Sequence, residues 1–285
     1  MKFSVIIPTC HRNDDLARCL ERLAPGAQTL AASDYEVIVS DDGRASTAET
    51  MVQEQFPWAR WFAGPRRGPA TNRNAGAKRA AADWLVFVDD DCLPAQELLA
   101  GYLTAIEKYP DQTVLEGRTS AWGERTRVDE EAPVNECGGY LWSCNFAIKG
   151  SRFAELGEFD ENFTTAFLED VELYTRIKKR GLKAVFVPEA RVFHPWRRQP
   201  GRQVKIAHEK SLKYYLSKHP ELANHHVPGV LIKNLIRFIV KLALNDCRRY
   251  RGRGFVRACW LKIYVTYLVI KNRNDDQPEA RASII

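Results

Sequence analysis

The run Trp84 to Val88 is apolar at every position and passes straight into Asp89, Asp90 and Asp91. An unbroken apolar run of this length reads as a strand covered on both faces, the kind found in parallel sheets flanked by helices. Three acids cannot follow it through a core, so they mark the point where the strand leaves its sheet. Adjacent like charges are costly unless something positive binds them. A hard divalent cation, Mg²⁺ or Mn²⁺, suits them best, because it takes oxygen ligands and shares them with substrate phosphates. The plainer alternative is a polar loop whose acids are neighbours by accident.

Around this run the chain alternates between strand-like and helix-like patterns. Phe3 to Pro8 reads as a buried strand, and Asn13 as the cap of a helix through Leu16, Leu20 and Leu23. Tyr35 to Ser40 is a second strand, stopped by Asp41, Asp42 and Gly43. Ser46 and Glu49 have the spacing of a capping box for a helix to about Gln55. A short strand over Arg60 to Ala63, an alanine-rich helix over Thr71 to Ala82 and a strand near Thr113 to Glu116 complete a βαβ-type sheet over residues 1–118. In such sheets the ligand crevice lies beyond the carboxyl ends of the strands. Pro8-Thr9, Asp41-Asp42 and Asp89 to Asp91 are all such ends, although Asp-Gly is also ordinary turn chemistry.

The loop from Arg66 to Gly76 supplies positive charge. Arg66, Arg67 and Arg73 lie around the first turn of the alanine-rich helix, where free backbone amides already favour an anion. A guanidinium there can make two charge-assisted hydrogen bonds to a diphosphate; the alternative is a solvated basic loop. Farther on, residues 119–140 read as an irregular loop over the site. Leu168 to Arg180 reads as a helix ended by Gly181, with Glu169 and Asp170 at its amino end. The helix dipole alone accounts for acids at such a place. Leu182 to Val187 and Ala190 to His194 read as two last strands. His194 ends an apolar run, the setting of a core histidine unless a metal lies nearby.

In this order the segments resemble the inverting glycosyltransferases of family 2 with the GT-A fold. The resemblance spans about residues 3–195 and rests on Ser4-Val-Ile-Ile-Pro-Thr9, Ser40-Asp-Asp-Gly43, the loop from Gly68 to Gly76, Phe87 to Asp91, Cys144-Asn-Phe-Ala-Ile148, Leu168-Glu-Asp-Val-Glu172 and His194. It implies an α/β, GT-A-like, mostly parallel sheet flanked by helices, a nucleotide-diphosphate sugar as donor, and a divalent metal. Thr9, Asp41 and Asp42 are then expected to hold the base and ribose, with Arg73 near the diphosphate and Pro8 and Arg66 among the donor-binding residues. Asp89 and Asp91 become the ends of an Asp-x-Asp motif around Asp90, with Asp91 the direct metal ligand and His194 a late one. Asp170 corresponds to the catalytic base, and Glu169 is the next candidate. An inverting transfer needs one base for the attacking hydroxyl and a cation for the departing diphosphate, but no covalent nucleophile. Gln199-Pro-Gly-Arg-Gln203 lacks the Trp of the processive synthases, and no apolar run of about 18 residues follows, which favours addition of one sugar.

Residues 1–200 are therefore expected to be the catalytic domain, and 201–285 a basic helical appendage. Between residues 191 and 274 nineteen Lys/Arg stand against three acids, so the remainder of a chain with net charge +6 is acidic. Val230 to Leu244 places Lys233, Arg237 and Lys241 at spacings of four in an otherwise apolar stretch. Phe255 to Ile270 repeats the theme with Arg257 and Lys262, and Arg248 to Arg253 add charge between the two. Basic amphipathic helices lie in membrane interfaces. The expectation is a peripheral enzyme on an anionic surface at the cytoplasmic face, acting on a glycan or lipid-linked acceptor. Packing on the protein itself or in a homo-oligomer is the alternative. The seven cysteines show no Cys-x-x-Cys pair and the N-terminus lacks signal-peptide flanks, both as expected of a cytosolic chain.

Two other classes compete. A sugar nucleotidyltransferase also uses acids, metal and nucleotide, but wants a glycine-rich loop after its first strand; Thr9 to Asn13 contains no glycine. Neither the dinucleotide fingerprint nor the P-loop occurs. A nucleic-acid-binding protein needs a basic patch interleaved with stacking aromatics on a known module, which the basic tail lacks, so no nucleic acid is expected as partner.

Overall fold

The computed structural model describes residues 1–45, 47–222 and 228–275, and the side chains among them apart from 228, 247 and 271–275. Ser46, and with it the expected capping box, lies outside the described residues. The chain divides into two compact units, Met1–Trp122 with Ala132–Pro195, and Gly123–Glu131 with Trp196–Ile285.

The strands in chain order are β1 (Phe3–Thr9), β2 (Tyr35–Asp41), β3 (Arg60–Ala63), β4 (Trp84–Val88), β5 (Leu93–Pro94), β6 (Val114–Trp122), β7 (Glu130–Glu131), β8 (Asn145–Lys149), β9 (Val185–Pro195) and β10 (Arg197–Arg198). The first unit is built on one eight-stranded sheet in the order β3-β2-β1-β4-β8-β6-β9-β5. Strands β3, β2, β1 and β4 run parallel, as expected, and β9 runs parallel to β6. Strand β8 is antiparallel to both its neighbours, and β5 to β9.

Helices α1 (Asn13–Leu23), α2 (Glu49–Gln55), α3 (Pro69–Ala77), α4 (Leu98–Lys108), α5 (Gly150–Glu155) and α6 (Glu169–Lys179) flank this sheet. Strand β1 is buried along its whole length and sends alternate residues to opposite faces. Phe3, Val5 and Ile7 join Leu16, Leu20 and Leu23 of α1, Val52 of α2 and Leu98, Leu99 and Tyr102 of α4 in one core cluster. On the other face Phe87 stacks on Phe146 at 4.8 Å and meets Phe153 and Phe159 edge-on or tilted, both at 5.3 Å. Helix α3 lies so close to β1 that a Cβ on Gly76 would stand 2.6 Å from Ile6 Cγ2.

Several boundaries differ from the sequence reading. Asn13 is the first residue of α1, not its cap; Arg12 takes the cap position, and Asn13 Nδ2 donates to the Thr47 carbonyl at 3.2 Å. Helix α3 starts earlier than expected because Pro69 opens it and needs no amide partner there. The strand near Thr113 to Glu116 continues to Trp122, so residues 119–122 are not loop. The two strands expected over 182–194 are one strand, β9, interrupted in register only opposite Gly117/Arg118. Asn145 closes that irregularity. Its Nδ2 donates to the carbonyls of Arg118 at 2.8 Å and Ala190 at 2.9 Å, while its Oδ1 accepts the Tyr102 hydroxyl at 2.7 Å.

The second unit holds α7 (Arg202–Lys218), α8 (Pro228–Lys241), α9 (Cys247–Arg249), α10 (Phe255–Asp275) and the β7–β10 pair. Its small core gathers Val128, Leu242, Tyr250 and Ala258, with Phe238 and Phe255 against them. Asp129 is buried there and is neutralised by Arg127 and Arg257, each at 2.8 Å. No helix among the described residues is long and apolar enough to cross a membrane.

The close approach of α3 to β1 makes a direct test. Gly76→Val should lower stability by about 1–3 kcal/mol through overpacking against Ile6, read as a fall in melting temperature with the folded circular-dichroism spectrum retained.

Candidate active site

The parallel half of the sheet places Thr9 beside Asp41 in register, so the ends of β1 and β2 emerge side by side. A cavity of about 330 Å³ opens above them, lined by residues that include Pro8, Thr9, Arg12, Asp42, Arg66 and Asp89. Arg44 also lines it, and neither Arg44 nor Arg66 has an ion-pair partner among the described residues. Guanidinium groups without a carboxylate partner are suited to an anion, although Asp42 and Asp89 line the same cavity.

The acids divide by the work they do. Asp41 is buried and faces its own loop, with Oδ1 accepting Gly43 N–H at 2.7 Å and Oδ2 accepting Ala48 N–H at 2.6 Å and Trp61 Nε1–H at 3.2 Å. Asp42 reaches the cavity and holds the arginine loop, taking Arg66 N–H at 2.8 Å and Gly68 N–H at 3.1 Å. Gly68 has φ 100°, and a side chain there would strike the Thr164 carbonyl, so this turn into α3 requires glycine. Arg67 points to Glu161 at 3.3 Å and does not line the cavity.

Asp90 is fully buried and ties β4 to the end of β1. Its Oδ2 accepts the Thr9 hydroxyl at 2.7 Å, and the Arg12 guanidinium sits on its Oδ1 at 2.6 Å. Arg12 also reaches Asp91 Oδ2 at 3.1 Å. Burial, which outweighs Arg12, together with the neighbouring Asp91 charge pushes the Asp90 carboxyl up to about 7. Sequence reasoning passed over Arg12; the available signal was a cation three residues beyond a strand end that faces acids.

Arg73 is 2% exposed and is the centre of the site. One terminal nitrogen meets Asp89 Oδ1 at 2.6 Å, the other Glu169 Oε1 at 2.9 Å, and its guanidinium lies 5.7 Å from the Phe159 ring centroid. Burial works against the Arg73 charge, but Asp89 and Glu169 hold it on and raise its pKa. Burial likewise pushes Asp89 upward, yet the charge and hydrogen bond of Arg73 keep it below the usual carboxylate range.

Glu169 and Asp170 open α6 after Leu168, whose φ of 72° turns the chain into the helix. Asp170 Oδ2 accepts Ser143 N–H at 3.0 Å and Oδ1 accepts Val171 N–H at 2.7 Å. Burial raises both carboxyls; for Glu169 the Asp170 charge adds to it, and for Asp170 the Ser143 amide opposes it.

His194 Nε2 stands 3.4 Å from Asp91 Oδ1. Its Nδ1 lies 2.8 Å from the Pro195 carbonyl, which can only accept, so Nδ1 carries a hydrogen and Nε2 is the ring atom that faces Asp91. Asp91, Cys92 and His194 form a group whose ligand atoms lie within 4.8 Å of one another. Burial raises the Cys92 thiol far above its ordinary value, which leaves Asp91 and His194 as the members suited to a hard cation. Asp89 is not in that group; its Oδ1 is held by Arg73.

The described fold is that of the GT-A glycosyltransferases: a mannosyltransferase from Pyrobaculum calidifontis, solved with GDP-Man and Mn²⁺, matches it with a TM-score of 0.61 at 19% identity, over 96% of this chain and 87% of that one. Residues 4–157 match glycosyl transferase family 2, and the chain belongs to that family. It is 28% identical over 220 residues to a validoxylamine A glucosyltransferase of Streptomyces hygroscopicus subsp. limoneus, covering 63% of this chain and 48% of the relative. It is 32% identical over 110 residues to the GalNAc(5)-diNAcBac-PP-undecaprenol beta-1,3-glucosyltransferase of Campylobacter jejuni, covering 37% and 33%. The chain thus spans about half the length of the first of these relatives, and a third of the other.

The buried acids set a pH dependence of stability. A carboxyl whose pKa is raised on folding contributes stability below its unfolded value of about 4. For Asp90 that contribution is lost as pH rises through about 7, and Glu169 acts in the same direction. Asp89, held low, has the opposite sign and loses its contribution only in acid. In metal-free buffer the melting temperature should therefore fall from mildly acidic to mildly alkaline pH, and Asp90→Asn should flatten that slope; an unchanged slope would exclude Asp90 as its source.

Proposed function

We propose that this chain transfers one glycosyl unit, with inversion, from a nucleoside diphosphate sugar to a hydroxyl acceptor. The observation that carries the reading is the shared guanidinium of Arg73, which ties the acidic end of β4 to the head of α6 beside an arginine-lined cavity. Pro8, Thr9 and Asp42 line the nucleotide side of that cavity, and Arg44 and Arg66 face the diphosphate. Asp91 and His194 are the residues that would hold Mg²⁺ or Mn²⁺. A divalent ion there supplies positive charge to the departing diphosphate.

Asp170 acts as base. Its two oxygens are fixed by backbone amides, which leaves further lone pairs for an incoming hydroxyl. Its raised pKa brings it nearer the operating pH and makes it a stronger base than an ordinary aspartate. The acceptor oxygen forms its bond to the anomeric carbon as the bond to the diphosphate oxygen breaks; the hydroxyl proton passes to Asp170, and the nucleoside diphosphate leaves with the bonding pair. Glu169, paired with Arg73, orients this machinery and does not take the proton.

The second unit supports an attachment to an anionic membrane surface. On α8, Ile232, Ile236 and Val240 form an exposed apolar stripe beside Lys233, Arg237 and Lys241, while Phe238 packs inward. Trp260, Ile263 and Tyr267 of α10 are exposed as well, and Arg202 lies over the Tyr264 ring at 5.2 Å. An apolar stripe flanked by cations matches acyl chains below anionic headgroups, each cation near the surface adding about 1 kcal/mol. A lipid-linked acceptor gives such an attachment a purpose, and the Campylobacter relative is named for one.

Melting shifts with UDP-, GDP- and dTDP-sugars in the presence of Mn²⁺ identify the donor. With that donor, Asp170→Asn should lower turnover by about 10²- to 10⁴-fold with donor affinity unchanged, and EDTA should stop the wild type. Donor affinity falling in step with turnover would make Asp170 a binding residue. Separately, the chain should sediment with anionic vesicles at low salt and be released at high salt; a chain that stays in the supernatant at every lipid charge has these helices covered by a second copy or by its own core.

A further inference from the structure

Residues 138–143 hold two aromatic rings that donor binding leaves unused. Tyr140 and Trp142 lie face to face, with centroids 5.3 Å apart and planes 7° from parallel. Trp142 is half-buried against the sheet core, whereas Tyr140 is 53% exposed. The segment is held rigidly: Gly138 N–H donates to Asn135 Oδ1 at 2.8 Å, Gly139 N–H to Glu116 Oε1 at 2.7 Å, and Asn135 Nδ2 to the Tyr140 carbonyl at 3.0 Å. Trp142 Nε1 donates to the Val134 carbonyl at 3.3 Å. The next residue, Ser143, is the one whose N–H holds Asp170 Oδ2. Consecutive Cα atoms are about 3.8 Å apart, so the platform stands one residue from the contact that fixes the proposed base.

A pyranose ring carries C–H groups on its faces and hydroxyls around its rim. The C–H face is attracted to the negative face of an aromatic ring, while the rim stays hydrated or hydrogen-bonded. The cavity has no Phe, Tyr or Trp in its lining, so it offers no ring on which a sugar could stack. We propose that Tyr140, backed by Trp142, is the platform on which a pyranose ring of the acceptor stacks, and hence that the acceptor is itself a glycoside. The stack of two rings becomes a stack of three, and a hydroxyl on the sugar rim is presented to Asp170. This assignment rests on the glycosyl-transfer reading, with Asp170 as the base.

Saturation-transfer NMR with methyl β-D-glucopyranoside and methyl β-D-N-acetylglucosaminide as probes, on the full chain with UDP and Mn²⁺, tests it. Saturation should reach the ring C–H protons of at least one probe with wild type and with Tyr140→Phe. Tyr140→Ala should weaken that probe's binding about tenfold, the scale of one lost stacking contact with its buried area, with UDP affinity and melting temperature unchanged. Equal transfer to Tyr140→Ala, or none to wild type at millimolar probe, overturns the platform. If a UDP-, GDP- or dTDP-sugar still binds wild type in that case, the platform alone has failed; if none of them binds, the glycosyl-transfer reading has failed with it.

Discussion

One buried guanidinium holds the site together. Arg73 sits on α3, Asp89 at the end of β4 and Glu169 at the start of α6, and the three come from separate stretches of chain. A buried ion pair is not automatically stabilising, because desolvation offsets much of its Coulomb energy. Its effect here is positional. Arg73 and Glu169 are out of water and Asp89 is partly exposed, and loss of Arg73 would leave both carboxylates without their cation, so α3, β4 and α6 are tied together at this point. Asn74 on the same helix reinforces the choice by clamping the Phe159 backbone, its Nδ2 at 2.9 Å from the carbonyl and its Oδ1 at 3.0 Å from the amide.

Much of the site's acidity is spent on shape. Asp41 closes the loop after β2, Asp42 holds the turn into α3, and Asp90 joins β1 to β4 through the Thr9 hydroxyl and Arg12. Each such bond removes a carboxylate from direct chemistry and fixes the one beside it. Asp91 is the clearest case: between Arg12 and His194 its two oxygens face different partners, and its orientation is set before any ligand arrives. Preorganisation of this kind lowers what binding must later supply in ordering.

The second unit follows a different rule. On α8 Phe238 packs on the small core, while Ile232, Ile236 and Val240 remain on the surface beside a row of cations. That exposed apolar stripe is more than the small core uses, and it is the physical basis for the proposed interfacial role.

By itself, the sequence determined the parallel half of the sheet, because β1, β2 and β4 are apolar runs that stop at polar residues, and such stops mark strand ends wherever they occur. It also singled out Asp89 to Asp91, Glu169-Asp170 and His194, since charge beside an apolar run is visible without coordinates. It could not show that Asn13 lies inside its helix or that two apparent strands near the end are one. The first depends on a carbonyl from residue 47, the second on pairing with β6 and on Asn145 satisfying the irregularity between them. Nor could it show that Arg73 is locked between two carboxylates 16 positions ahead and 96 positions ahead, or that Arg12 covers Asp90. Local pattern follows from solvation of neighbouring residues along the chain; which charge meets which is decided only when packing brings distant segments into a region where water can no longer satisfy them.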